Sequence, residues 1–103
     1  MRDVLENLAE AYPDLKVKGK KTAYLAVNGN MFAFVDDTGE LCFRFSEKDK
    51  TTFNEKHGAS DVIQYNAVMR GYVRVPPEIL NDGGALNALF ADSVAFARGL
   101  KPK

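Results

Sequence analysis

The sequence has one cysteine, no net charge and no long apolar run, and each shortage excludes a class of protein. Cys42 has no second cysteine for an internal disulfide, and no Cys or His lies at metal-ligand spacing from it, which favours a reducing compartment. The fourteen basic residues cancel the fourteen acidic ones, so the overall charge does not attract nucleic acid or anionic membranes. Binding of that kind would need a local patch.

The missing apolar runs also argue against a membrane protein. No uninterrupted apolar stretch approaches the roughly 18 residues that a spanning helix needs. Residues 1–6 carry acidic side chains where a signal peptide has apolar ones. We therefore predict a cytoplasmic protein, and the length of 103 residues predicts a single domain over residues 1–103.

Five short apolar runs predict β-strands. Three of them lie between Thr22 and Phe45, are rich in aromatic and β-branched residues, and are separated by Asn28-Gly29-Asn30 and by residues 36–40, which favour tight turns. Two more are predicted at residues 62–65 and 70–75. Strands joined by tight turns run antiparallel. The second strand is apolar on both faces, with Phe32 and Phe34 together on one of them, so it belongs inside a sheet.

Capping signals predict the helices. Asp3 begins a first helix, Ser46 caps a second that ends near Gly58, and a long helix covers residues 85–100 after a proline-led turn at residues 76–80. The element order is therefore α-β-β-β-α-β-β-α. It predicts an α+β fold, a two-layer sandwich whose helices lie mainly on one face of a five-stranded antiparallel sheet.

Several stretches between Tyr24 and Asp82 carry a resemblance to a known family. They are Gly29-Asn30-Met31-Phe32-Ala33-Phe34, Leu41-Cys42-Phe43-Arg44-Phe45, Phe53, Ile63-Gln64-Tyr65 and Tyr72-Val73-Arg74-Val75-Pro76. In these positions, within roughly three-fifths of the chain, the sequence resembles the TfoX N-terminal-domain family, whose α+β fold is related to that of the YjbR-like proteins and secretion chaperones.

The resemblance implies a stand-alone domain related to regulators of natural competence, a family with no established catalytic site. Members usually carry a Met-Phe-Gly-Gly-like signature before the first strand, whereas residues 18–24 here read Lys-Gly-Lys-Lys-Thr-Ala-Tyr. We therefore expect a divergent or distinct member. The second, C-terminal domain of the full-length regulators is absent from these 103 residues, so the competence role does not transfer directly.

The candidates for catalysis are few. His57 is the only histidine and lies near a helix C-terminus, where a cation is favourable and no carboxylate is placed to orient it. Cys42 would act as a nucleophile only if His57 reached it across the fold. Because the sequence contains no phosphate-binding loop and no dinucleotide fingerprint either, we predict no catalytic, metal or cofactor site and no small-molecule substrate.

A lysine-rich segment opens the alternative of nucleic-acid binding. Its lysines are Lys16, Lys18, Lys20 and Lys21. Three arginines and two tyrosines could add phosphate contacts and base stacking: Arg44, Arg70, Arg74, Tyr24 and Tyr72. The same lysines would also serve as ordinary solvated charges that protect an exposed strand edge.

Protein interaction is the favoured function. Helices on one side would leave the other face of the sheet uncovered, and that face would carry Tyr24, Cys42, Arg44, Tyr72 and Arg74. Aromatic and arginine side chains are enriched at protein interfaces. We therefore predict a non-enzymatic interaction or regulatory module whose partner is another protein or a second copy in a twofold homodimer.

Overall fold

A computed structural model describes residues 1–64 and 66–103, and within them an antiparallel sheet packs against helices. The helices are α1 (Arg2–Ala9), α2 (Glu47–His57), α3 (Pro77–Leu80) and α4 (Gly83–Arg98). The strands are β1 (Tyr24–Val27), β2 (Asn30–Val35), β3 (Leu41–Arg44), β4 (Ile63–Gln64), β5 (Ala67–Val68) and β6 (Tyr72–Arg74). The predicted α+β class is confirmed.

The sheet itself differs from the prediction, because the described residues form a four-stranded sheet in the order β1-β2-β3-β6 and not a five-stranded one. Strand β4 pairs instead with β5, which lies between the two strands predicted at residues 62–65 and 70–75. Asn66, with φ of 63°, lies in the turn between them, and the Met69 N–H donates to the Val62 carbonyl at 2.8 Å. The hairpin is thus closed by backbone hydrogen bonds between its own two arms. Tyr65, the last residue of the predicted strand at 62–65, lies outside the described residues.

Local signals correctly placed both ends of α2 and the first turn. Ser46 caps α2 and Gly58 ends it with φ of 64°, as predicted. Asn28 and Gly29 both have positive φ in the tight β1–β2 turn. Asp82 caps α4, which begins before the predicted residue 85. The predicted start of α1 at Asp3 is wrong, because the helix begins at Arg2 without a side-chain cap.

The main core lies between the sheet and helices α1 and α4. Phe90 of α4 is its centre, with ring centroids 5.4 Å from Phe43, 5.9 Å from Phe32 and 5.5 Å from Tyr12. The Phe43 and Tyr12 rings meet it edge-on, a geometry that adds to the gain from burial alone. Leu5 of α1 is fully buried in the same cluster. The helices therefore cover the sheet face that carries Phe43.

A β-bulge in β2 places Phe32 and Phe34 in different layers. Leu25 lies opposite Ala33 and Ala26 lies opposite Met31, so Phe32 is the extra residue without a partner on β1. Phe32 then packs in the main core, whereas Phe34 packs on the other side of the sheet. The prediction that both rings share one face is wrong, because strict alternation does not survive an inserted residue.

Candidate interaction face

The structure brings the five residues of the predicted interaction face together on the sheet face opposite Phe43. They are Tyr24, Cys42, Arg44, Tyr72 and Arg74. In the ladder between β3 and β6, Cys42 lies opposite Arg74 and Arg44 lies opposite Tyr72. Phe34 connects this group to β1, because it lies opposite both Tyr24 and Cys42.

The β4–β5 hairpin covers part of this face. Val62, which is fully buried, packs with Phe34, Cys42 and Tyr72, and Met69 adds to the same cluster. Cys42 and Tyr72 are consequently buried. The expectation that this face has no covering within the chain is therefore wrong for these two residues, whereas Tyr24, Arg44 and Arg74 remain partly exposed.

An ion pair attaches the start of the hairpin to α2. The Lys50 ammonium lies 2.9 Å from the Asp61 carboxylate, and Lys50 is itself buried. A buried lysine needs such a partner, since an uncompensated charge is costly away from water. The segment that leads into Val62 is thereby held against the middle helix.

Arg74 lies between two carboxylates at the edge of the face. Its Nη2 and Nε atoms are 3.1 Å and 3.3 Å from Asp36 Oδ2, and Nε also contacts the Glu40 carboxylate. The Asp36 side chain, only 1% exposed, also accepts hydrogen bonds from the Thr38 hydroxyl at 2.7 Å and the Glu40 N–H at 2.9 Å. The sequence predicts only a turn at Asp36, because no local signal couples this residue to β6.

These bonds determine the charge of Asp36. Burial raises the pKa of its carboxyl group, but the hydrogen bonds from Thr38, Glu40 and Arg74 outweigh burial and bring the pKa below its ordinary value of 3.8. Asp36 is therefore a carboxylate at neutral pH. The charge of Arg74 is neutralised locally, which makes this arginine a poor phosphate contact.

Cys42 has the environment of a packing residue. Its Sγ lies 4.0 Å from Asp36 Oδ2 and 3.8 Å from the Glu40 carbonyl oxygen. Burial, and then the negative charge of Asp36, raise the pKa of the thiol to about 12. The thiol is therefore protonated at neutral pH and is a weak nucleophile.

His57 lies in a different part of the fold, between α2 and α3. Its Nδ1 is 3.3 Å from the Glu78 carboxylate, and its ring centroid is 4.4 Å from that of Phe53. The prediction that no carboxylate orients His57 is thus wrong. The partner, Glu78, lies in α3, 21 residues along the chain. The signals at the end of α2 give no information about so distant a residue.

Tyr72 and Arg44 share one backbone acceptor. The Tyr72 hydroxyl donates to the Met31 carbonyl at 2.8 Å, and burial raises the pKa of this phenol. Arg44 Nη1 reaches the same carbonyl at 3.5 Å, while its guanidinium carbon lies 5.9 Å from the centre of the Phe96 ring. Both side chains are thus engaged within the chain.

The hairpin carries apolar side chains on its outer side. Ile63 and Val68 lie directly opposite each other and are 57% and 50% exposed. Among the described residues, Met1 is the only other large apolar residue in this exposed class. The sequence analysis does not identify this pair. A buried Val62 followed by an exposed Ile63 is the alternation typical of a strand, so the sequence did contain a signal for it.

The predicted lysine patch forms a loop along the free edge of β1. Lys16, Lys18, Lys20 and Lys21 are all exposed. We call residues 16–21 the lysine loop. Lys18 exchanges two backbone hydrogen bonds of 3.0 Å with Tyr24, and the Arg2 guanidinium donates to the Gly19 carbonyl at 2.6 Å. The loop is therefore fixed at two points and pairs with the edge strand at Tyr24.

Two of the arginines predicted to extend this patch are engaged elsewhere. Arg74 is paired with Asp36 and Glu40, and Arg70 Nε lies 3.6 Å from the Glu47 carboxylate.

Within residues 1–64 and 66–103, no group of three or more His, Cys, Asp or Glu side chains is placed to hold a metal ion. No helix in the same ranges combines the length and apolar character that crossing a membrane requires.

Comparison of the sequence with known protein families identifies a match. The sequence model of the TfoX N-terminal domain matches residues 23–97, a range that contains the four-stranded sheet, the hairpin, helices α2 and α3, and α4 up to its last residue. The lysine loop lies outside the matched range. No curated protein gives a significant match. Since the match spans well over half of the 103 residues, the chain belongs to the TfoX N-terminal domain family.

Proposed function

We propose that this domain is a non-enzymatic interaction module with a regulatory role of the kind the competence regulators suggest, and that it acts in the cytoplasm. Family membership supports the regulatory part. The protonated, buried thiol of Cys42 supports a role without catalysis. The observation that carries the proposal is the exposed pair of Ile63 and Val68.

This pair has the properties of a contact site. Two β-branched side chains, each at least half exposed, lie side by side on a hairpin whose inner residue Val62 is anchored in the fold. Covering them on a partner would remove apolar surface from water, which is favourable by about 25 cal/mol per Å². Tyr24, which packs against the same cluster as Val62 and is partly exposed, would supply a polar hydroxyl at the border of such a contact.

The simplest partner is a second copy of the chain in a twofold dimer. In such a dimer each hairpin meets the same surface of the other copy, so one apolar patch serves both sides. A different protein with a matching apolar surface is the other partner that this patch could accept.

Self-association is tested by measuring molar mass with light scattering at high micromolar concentration. We expect the mass of a dimer for the wild type and of a monomer for the double variant Ile63→Ser and Val68→Ser. Ala67→Ser, on the same hairpin and also exposed, is the matched control and should remain dimeric. A wild type with the mass of one chain would overturn the homodimer.

The lysine loop supports a second candidate function, weak nucleic-acid binding. Its four lysines are exposed and make no ion pair with any residue that the structure describes, and the half-buried Tyr24 lies next to them. Contacts to phosphates release counterions, so the affinity should fall steeply with salt. A titration with duplex and single-stranded DNA at low and moderate salt tests this candidate. Failure of the wild type to retard either DNA at low salt would end it.

A further inference from the structure

Helices α2 and α4 form the walls of a groove beyond the end of β3, and its floor is apolar. The larger part, about 630 Å³, is lined by Phe45, Phe53, Leu89 and Phe96, with Asp49 and Asp92 at its rim. A smaller part of about 300 Å³ continues from the shared residues Phe45 and Phe96 towards Arg44 and Arg70. We call the two parts together the helix groove.

Helical spacing explains why each wall presents the same combination of residues. Leu89, Asp92 and Phe96 follow one another at intervals of three and four along α4, so they share one side of that helix. Asp49 and Phe53 are four residues apart on α2. Each helix therefore places one carboxylate a single turn away from large apolar side chains.

The apolar residues of the helix groove are only partly covered by the fold. Phe45 forms a nearly buried floor, at 8% exposure. Three further side chains are partly exposed: Phe53, Leu89 and Phe96. Large apolar side chains lining a concave surface in this way are typical of ligand and partner sites.

The charge at the rim is negative. Asp49 and Asp92 are exposed, and their carboxylates form no ion pair with any residue in the described ranges. At the other end, Arg70 is paired with Glu47 and Arg44 is stacked over Phe96. Arg44 has no acidic partner among the described residues, but it lines only the smaller part of the groove. The unpaired charges of the larger part are therefore the two carboxylates, which complement lysine or arginine side chains.

The walls also restrict the backbone of an occupant. They are helices, whose backbone groups bond internally, so an extended chain would find no strand edge here to pair with. A helix satisfies its own backbone and needs only side-chain contacts. Ala95, a small exposed residue in the larger cavity, leaves room for close approach.

We propose that the helix groove binds a basic amphipathic helix of a partner protein. Apolar side chains on one face of that helix would cover Phe53, Leu89 and Phe96, and lysine or arginine residues at its borders would meet Asp49 and Asp92. This site is separate from Ile63 and Val68, and it does not depend on the proposed homodimer.

The experiment uses the full chain and a synthetic helical peptide of about 18 residues, long enough to be helical. The peptide carries leucines along one face and lysines at its borders, and binding is followed by fluorescence anisotropy at low and moderate salt. A peptide of the same composition, scrambled to remove the apolar face, is the control ligand. We expect only the amphipathic peptide to bind, with an affinity that falls as salt increases.

Two variants on the same helix locate the site. Ala95→Lys places a bulky cation in the groove and should weaken binding at least tenfold, whereas Ala91→Lys adds the same charge at an exposed position outside it and should change binding less than twofold. Asp49→Asn combined with Asp92→Asn should weaken binding several-fold and reduce its salt dependence. Thermal unfolding checks that every variant is folded.

The proposal is overturned if the wild type does not bind the amphipathic peptide, or if Ala91→Lys and Ala95→Lys weaken binding equally. It is also overturned if Ala95→Lys converts a dimeric wild type to a monomer, because the occupant would then be a second copy. The double variant Ile63→Ser and Val68→Ser should keep full peptide binding, so failure of the homodimer and failure of the helix groove give different results.

Discussion

Arg74 of β6 binds Asp36 of the β2–β3 turn through two nitrogen atoms, at 3.1 Å and 3.3 Å, although 38 residues separate them in the chain. The ion pair joins the turn to the last strand of the sheet and lies beside Cys42, at one edge of the predicted interaction face. Loss of the Asp36 charge should therefore affect the stability of the whole domain.

Replacement of Asp36 by Asn keeps the shape of the side chain and removes its charge. Because hydrogen bonds to charged groups contribute more than neutral ones, we expect the free energy of unfolding to fall by about 2 kcal/mol in urea denaturation. Asp37→Asn, at the exposed neighbouring position, should change it by less than about 0.5 kcal/mol. Equal effects of the two variants would contradict the role of the ion pair.

The stability of the protein should depend on pH through the same carboxylate. The pKa of Asp36 is lowered in the folded state from its ordinary 3.8, so its contribution is complete above that value and is lost as pH falls through the folded pKa. The unfolding free energy of the wild type should therefore fall more steeply below about pH 5 than that of Asp36→Asn. Parallel pH profiles for the two proteins would rule this out.

The thiol of Cys42 should be unreactive in the folded protein. With its pKa raised to about 12 from 9.0 and its side chain buried, labelling by Ellman's reagent at neutral pH should be slower than in urea by about a thousandfold. Since the chain has one cysteine, the whole signal reports on this site. Rapid labelling of the native protein would show that the β4–β5 hairpin does not protect it.

Protection of Cys42 should depend on Val62. Val62→Ala removes part of the buried cover, at a cost of about 1–2 kcal/mol, and should raise the rate of Cys42 labelling roughly tenfold through local opening of the hairpin. Ile63→Ala, at the exposed neighbouring position, should leave the rate unchanged. If both variants label alike, the hairpin does not act as the cover.

Alanine substitution at two glycines distinguishes the cost of a positive φ from the cost of steric overlap. Gly19 and Gly39 have similar φ values of 90° and 85°, but a Cβ at Gly19 would overlap the Thr22 carbonyl oxygen, whereas nothing lies within 4 Å of one at Gly39. We expect Gly39→Ala to cost about 1 kcal/mol and Gly19→Ala about 3 kcal/mol in thermal or urea unfolding. Similar losses would indicate that the lysine loop can move aside.

Features that depend on residues close together in the sequence were predicted correctly. The cap at Ser46, the left-handed exit at Gly58 and the turn at Asn28 were predicted, because each is decided by backbone geometry within about four residues. The five residues of the predicted interaction face were also placed on one side of the sheet by alternation alone. Alternation thus identified which side chains share the face, but it did not predict that Cys42 and Tyr72 are buried there.

Exposure and charge state depended on contacts between distant segments. Val62 covers Cys42 because the hairpin folds back on itself and over the sheet, and Phe32 enters the main core because pairing with β1 inserts a bulge. The neutralisation of Arg74 and the two walls of the helix groove arise in the same way, from elements brought together only in the folded chain. Short-range patterns in these 103 residues thus establish the elements and their class, while long-range packing determines which side chains remain available to a partner.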